Sequence, residues 1–181
     1  DGAVVEEEEK VDLSGIDMTF NVKATEDASM RVIFDEAVGD IMQGRGVGDI
    51  TMQITPTGEL KMTGKFEVLK GDYLFTLQNI ISKKFVVVPG GTVQWYGDPY
   101  SAILDLQAKY EVRTTLYDLF LEENEAYKKR LPVNVLMNIK DKMMTPDIKF
   151  GLELPSVDQN TRSLVQSAVA SEQDLNRQVF A

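Results

Sequence analysis

The stretch AILDLQAKYEV, residues 102–112, decides the fold class. Ala102, Leu104, Leu106, Ala108, Tyr110 and Val112 alternate with Asp105, Gln107, Lys109 and Glu111. Successive side chains of an extended chain point to opposite faces, so this period places the alternating apolar residues on one side of a strand. At the usual rise the segment reaches roughly 35 Å, longer than most strands.

Working outward, the same pattern fills most of the chain. Ile16, Met18, Phe20, Val22 and Ala24 alternate with Asp17, Thr19, Asn21 and Lys23, and Met30, Val32 and Phe34 repeat the period. Gly44, Gly46 and Gly48 read as a turn or bulge. The run Gly44-Arg45-Gly46-Val47-Gly48 superficially resembles a phosphate loop, but no GK[ST] and no helical stripe follow it. Ile50, Met52 and Ile54 lead through Pro56-Thr57-Gly58 to Leu60 and Met62, a hairpin with a short loop. Phe66 and Val68, then Tyr73, Phe75 and Leu77, continue the alternation. Lys83 to Val88, with Phe85 and Val87, is apolar on both faces and is expected to lie centrally or be covered on both sides. Pro89-Gly90-Gly91 reads as a turn, after which Val93 and Trp95 share the apolar face.

Residues 114–131 break the period and read as a short helix or loop excursion. Strands resume with Val133, Val135, Met137 and Ile139, then Ile148, Phe150, Leu152 and Leu154. After Pro155 the period becomes helical. Ser156 and Gln159 fit a capping box, with a stripe through Leu164, Val165, Ala168 and Val169 extended by Leu175, Val179 and Phe180. Ser171 with Asp174 is a possible restart of that helix. The expected organisation is an acidic, solvated tail over 1–13, a curled β domain over 14–155, and a C-terminal helix over 156–181 that leads into a further strand of a longer protein.

Composition closes many routes to catalysis. The chain has no cysteine and no histidine, which removes thiolate chemistry, imidazole metal ligands and His-based triads. No metal or cofactor is expected, and the chain is read as a non-enzyme. Its net charge of −10 repels phosphate backbones and disfavours nucleic acid as a partner. Asp35, Glu36 and Asp40 lack the spacing of a calcium loop and read as solvated charge. No run approaches the roughly 18 apolar residues of a membrane helix, so this piece is expected to be soluble. A plain sandwich or barrel core would give the same alternation. Two features favour an open apolar channel: one candidate helix is too little to cover so long a face, and methionine adapts to chains of varied shape.

The block Lys70-Gly71-Asp72-Tyr73-Leu74-Phe75, Lys83-Lys84-Phe85, Gly90-Gly91-Thr92-Val93-Gln94-Trp95-Tyr96-Gly97-Asp98-Pro99 and Ala102 to Tyr110 resembles the C-terminal domain of TamB, of the AsmA-like superfamily, in its Bacteroidetes form. Leu131-Pro132-Val133-Asn134-Val135, Pro146 to Pro155 and Glu172 to Gln178 look like the same domain, and the likeness runs from about Ile50 to Arg177. The resemblance implies long antiparallel or mixed strands curled into a half-pipe, a β-taco, with an apolar interior. It also implies a periplasmic protein, anchored at the inner membrane when full length, with phospholipid acyl chains and an outer-membrane barrel of the TamA type as partners. It offers no catalytic residues.

The expected groove is lined by the alternating residues from Ile16 to Val22, Ile50 to Ile54, Leu60, Met62, Phe66, Tyr73 to Leu77, Phe85, Val87, Val93, Trp95, Leu104 to Tyr110, Val133 to Met137 and Ile148 to Leu152. A charge at Leu104 or Leu106 is expected to block lipid while sparing the fold. A docking module that offers strand edges to a barrel protein is the second reading. A carbohydrate-binding sandwich is disfavoured because Trp95 falls on the apolar face.

Overall fold

The computed structural model describes residues 15–35, 40–77, 81–115 and 128–167. Nine strands form one sheet: β1 (Met18–Ala24), β2 (Ser29–Asp35), β3 (Asp40–Ile54), β4 (Leu60–Leu77), β5 (Ile81–Val87), β6 (Gly91–Gly97), β7 (Ile103–Thr114), β8 (Leu131–Lys142) and β9 (Asp147–Glu153). Every pairing is antiparallel. A helix, α1, occupies 159–167. The tail, the excursion core at 116–127 and the second half of the helical stripe lie outside the described residues.

β1 and β2 lie end to end along β3, with Ala24 opposite Gly48 and Ser29 opposite Arg45. β6 and β5 do the same along β4, with Gly91 opposite Val68 and Val87 opposite Gly71. Pro89-Gly90 therefore does not reverse the chain, contrary to the sequence reading. Proline has no N–H to give the ladder, so the strand breaks and resumes in the same direction. The Gly90 N–H donates to the Val68 carbonyl at 2.8 Å across the break.

These interruptions line up. β4 has one extra residue, Leu69, where Arg45 pairs with Lys70 and Gly46 with Val68. The Gly46 N–H donates to the Ala28 carbonyl at 3.2 Å. A crease thus crosses three ladders through Ala28, Gly46, Val68 and Gly90. The glycines that read as a turn or bulge sit inside β3, on its inner face, where the register shifts between Arg45 and Gly46. A Cβ on Gly46 would run into the Glu67 carbonyl and the Phe66 ring, and one on Gly48 into the Lys65 carbonyl. Bare backbone lets β3 and β4 fold tightly against each other, the usual device for bending a sheet.

The bend brings distant strands together. β4 and β9 are four strand spacings apart, roughly 19 Å in a flat sheet, yet the Phe75 and Phe150 rings are 5.5 Å apart. The sheet is therefore curled, and the inner faces of β4 to β8 close on one main core. β5 is central in pairing but not covered on both faces: Val86 is exposed on the outside.

Candidate apolar groove

The inner face has two parts, divided by the crease. On one side β1, the second half of β3 and the first half of β4 form a shelf. Met18, Ile54 and Leu60 stand in register across it, then Phe20, Met52 and Met62, then Val22, Ile50 and Gly64. The shelf is apolar and uncovered at its edge: Ile16 is 39%, Phe20 45%, Val22 40% and Leu60 46% exposed. Three of its side chains are methionines, which pack against surfaces of varied shape.

Beyond the crease the trough is filled. Phe34, Tyr73, Phe75 and Phe150 make consecutive ring contacts at 5.5, 5.9 and 5.5 Å. Phe85 joins Tyr110 at 5.8 Å, and the Lys83 ammonium lies 5.6 Å from the Tyr110 ring centre. Centroid separations of this size, with tilted planes, are the favourable aromatic geometry. The far end is closed by α1, whose Val165 packs with Val133 and Leu154 against Val112, Leu131, Leu152 and Val157.

The helix begins differently from its sequence reading. Asp158, not Ser156, caps it, accepting from the Thr161 N–H at 2.9 Å and the Thr161 hydroxyl at 2.8 Å. These bonds hold the Asp158 carboxyl below its ordinary value, because they favour its charged form. Gln159 is taken by Arg162 instead, at 3.3 Å. Arg162 also reaches the Leu154 and Val157 carbonyls. Leu164, assigned to the buried stripe, is exposed, and Val165 carries the contact.

The predicted lining residues divide accordingly. Phe66, Tyr73, Phe85, Val87, Val93, Trp95, Leu104, Leu106, Ala108, Val133 and Met137 are buried. Phe75, Tyr110, Val135 and Ile148 are half-buried against the same core. Leu152 is half-buried in the cluster under α1, and Phe150 is partly exposed at the trough mouth. Ile16, Met18, Phe20, Val22, Ile50, Met52, Ile54, Leu60 and Met62 belong to the shelf. The side chain of Leu77 lies outside the described residues. The lining reading omitted Met42 and Val68, both buried beside the crease; glycine-broken alternation hid the first, while the second was read on the apolar face with Phe66 but left out of the lining. Trp95 donates its indole N–H to the Pro99 carbonyl at 3.1 Å, so it is no sugar platform.

The outer face is polar and cross-linked. Lys84 pairs with Asp72 at 3.1 Å and Lys140 with Asp105 at 3.3 Å. Gln107 bonds Asn138 at 2.9 Å, and Asn134 bonds Glu153 at 2.9 Å. Exposed pairs of this kind stabilise little. Among the described residues no polar or charged residue is buried, and no three His, Cys, Asp or Glu residues gather as metal ligands.

A curled antiparallel sheet with this inner face is matched by one family model, the TamB C-terminal domain, over residues 3–181. The chain belongs to the TamB C-terminal domain family. The match starts well before the residues that first carried the resemblance and includes the acidic tail and the 114–131 excursion. No curated protein and no solved structure matches the chain. TamB domains are envelope-associated modules of outer-membrane assembly. In this TamB domain no helix among the described residues is long and apolar enough to cross a membrane.

Proposed function

We propose that this domain is a non-enzymatic, periplasmic segment of a lipid path between the inner and outer membranes, with the full-length protein anchored in the inner membrane. One observation carries the reading. The apolar inner face runs without a buried polar residue from the sealed core to an uncovered shelf at Phe20, Val22 and Leu60. An acyl chain laid along the shelf gains about 0.8 kcal/mol per buried methylene, and no shelf position asks it to desolvate a charge.

Leu104 and Leu106 no longer serve as test positions. Both are sealed in the core, where a charge would cost the fold itself. The shelf is the place to test. Native mass spectrometry of protein purified from cells should find phospholipid on the wild type, and Phe20→Asp with Val22→Asp should remove it while the circular dichroism spectrum is kept. A wild type that carries no lipid would overturn the reading.

A second reading is favoured by the sheet's edges. Among the described residues β1, β2 and β9 each pair on one side only, and such edges template further strands. Docking to an outer-membrane barrel of the TamA type would use them. Site-specific crosslinks from β9 to the barrel, retained in the lipid-free shelf variant, would separate this role from the first.

A further inference from the structure

We propose that the outer face at the sealed end of the sheet docks onto an anionic lipid bilayer. The inference concerns the convex side and holds whether or not the shelf carries lipid. Outer positions elsewhere are largely polar, but here Ile33, Ile41 and Leu74 stand directly opposite one another on β2, β3 and β4. Val86 faces Asp72 on the next strand, diagonal to Leu74. Ile33 is 45%, Leu74 40% and Val86 52% exposed. Such an apolar row facing solvent marks a contact surface.

The rim carries the opposite sign to the chain. Against a net charge of −10, Arg31 and Lys84 border the row and Arg45 and Lys70 stand opposite each other further along the same face; Asp72, paired to Lys84, lies between them, and Asp35 follows Ile33 on β2. Among the described residues Arg31, Arg45 and Lys70 have no carboxylate partner. Two open depressions, of 490 and 260 Å³, share Gln43 and Asp72 as lining. Apolar side chains and cations line these depressions together, Val86 with Arg45 and Lys70 in one and Ile41 and Leu74 with Arg31 and Lys84 in the other. A peptide partner would ask for carboxylates placed one by one against these cations. A lamellar anionic surface asks only for exposed apolar side chains beside unpaired cations.

The test is vesicle co-sedimentation of the whole 181-residue chain with phosphatidylcholine vesicles, with and without phosphatidylglycerol. Binding is expected only with phosphatidylglycerol and should weaken as salt rises. Each basic side chain removed should lower partitioning about fivefold. Arg31→Glu with Lys84→Glu should abolish binding, Ile33→Ser with Leu74→Ser should reduce it several-fold, and Tyr96→Ser at the other end should leave it unchanged. All five sites are exposed in the fold, and unchanged thermal unfolding would confirm that each variant is intact. Wild type that ignores phosphatidylglycerol, or an Arg31→Glu, Lys84→Glu protein that binds like wild type, would overturn the proposal. So would capture of an acidic, leucine-containing peptide by this face with no capture of vesicles, which would make the partner a protein. Loss of vesicle binding with co-purified lipid retained would separate this face from the shelf.

Discussion

The two sides of the crease share β3 and β4 and differ in what their inner faces meet. At the β1 end Phe20 and Val22 stand on an uncovered shelf. At the β5 end Tyr73 and Phe85 meet other rings and α1 closes the trough. The two inner faces are equally apolar. The difference is in what stands opposite: past the glycines of β3, Phe75 of β4 meets Phe150 of β9, whereas on the other side burial reaches Phe66, Val93 and Trp95 and stops short of β1. An apolar strand face is therefore a core or a lipid surface according to what stands opposite it.

The comparison breaks first at the crease itself. Gly46→Ala places a methyl group against the Glu67 carbonyl, a backbone atom that cannot step aside. A loss of about 3 kcal/mol or more in urea unfolding is expected. A variant within about 1 kcal/mol of wild type would mean that the tight approach of β3 and β4 does not hold the bend.

Paired truncations then sharpen the contrast. Tyr73→Ala, in the filled half, should cost about 3 to 5 kcal/mol, whereas Phe20→Ala, on the shelf, should cost less than about 1 kcal/mol. Equal costs would mean that the shelf is covered in solution.

The smallest effect compares two carboxylates. Asp98, beyond β6, is held below its ordinary value by the Ser101 hydroxyl and the Tyr100 N–H, as Asp158 is by Thr161. A lowered folded-state value means that each contribution is complete above the ordinary 3.8 and is lost as pH falls through the lower folded value. In NMR titration the Tyr100 and Thr161 amide resonances should move only in that acid range. Asp158→Asn should flatten the Thr161 curve and leave that of Tyr100 alone.

Much of this architecture was legible because period two is local. Leu104 to Tyr110, Val133 to Ile139 and Ile50 to Ile54 declare their inner side chains without knowledge of any partner. What escaped was decided at a distance. Pro89-Gly90 has turn chemistry, but whether the chain reverses depends on β4, which is long enough to pair on both sides of the break. Leu104 and Leu106 are visibly inward, yet their sealing depends on Gly46 and Gly48 bending another part of the sheet. Two cap-competent residues, Ser156 and Asp158, precede α1, and Thr161 favours the second by offering it both an amide and a hydroxyl.

Leu69 gives β4 two reading frames. Inward positions are even through Phe66 and Val68 and odd through Tyr73 and Phe75, so the strand's pattern is written in one phase, shifted once, and resumed. Loss of that single letter would leave both halves of β4 strand-like and turn one of them inside out. Lengthening by two residues would keep the message intact. In this lineage, insertions and deletions near the crease should therefore come in pairs, or bring a compensating change on β3 or in the stretch joining β5 to β6.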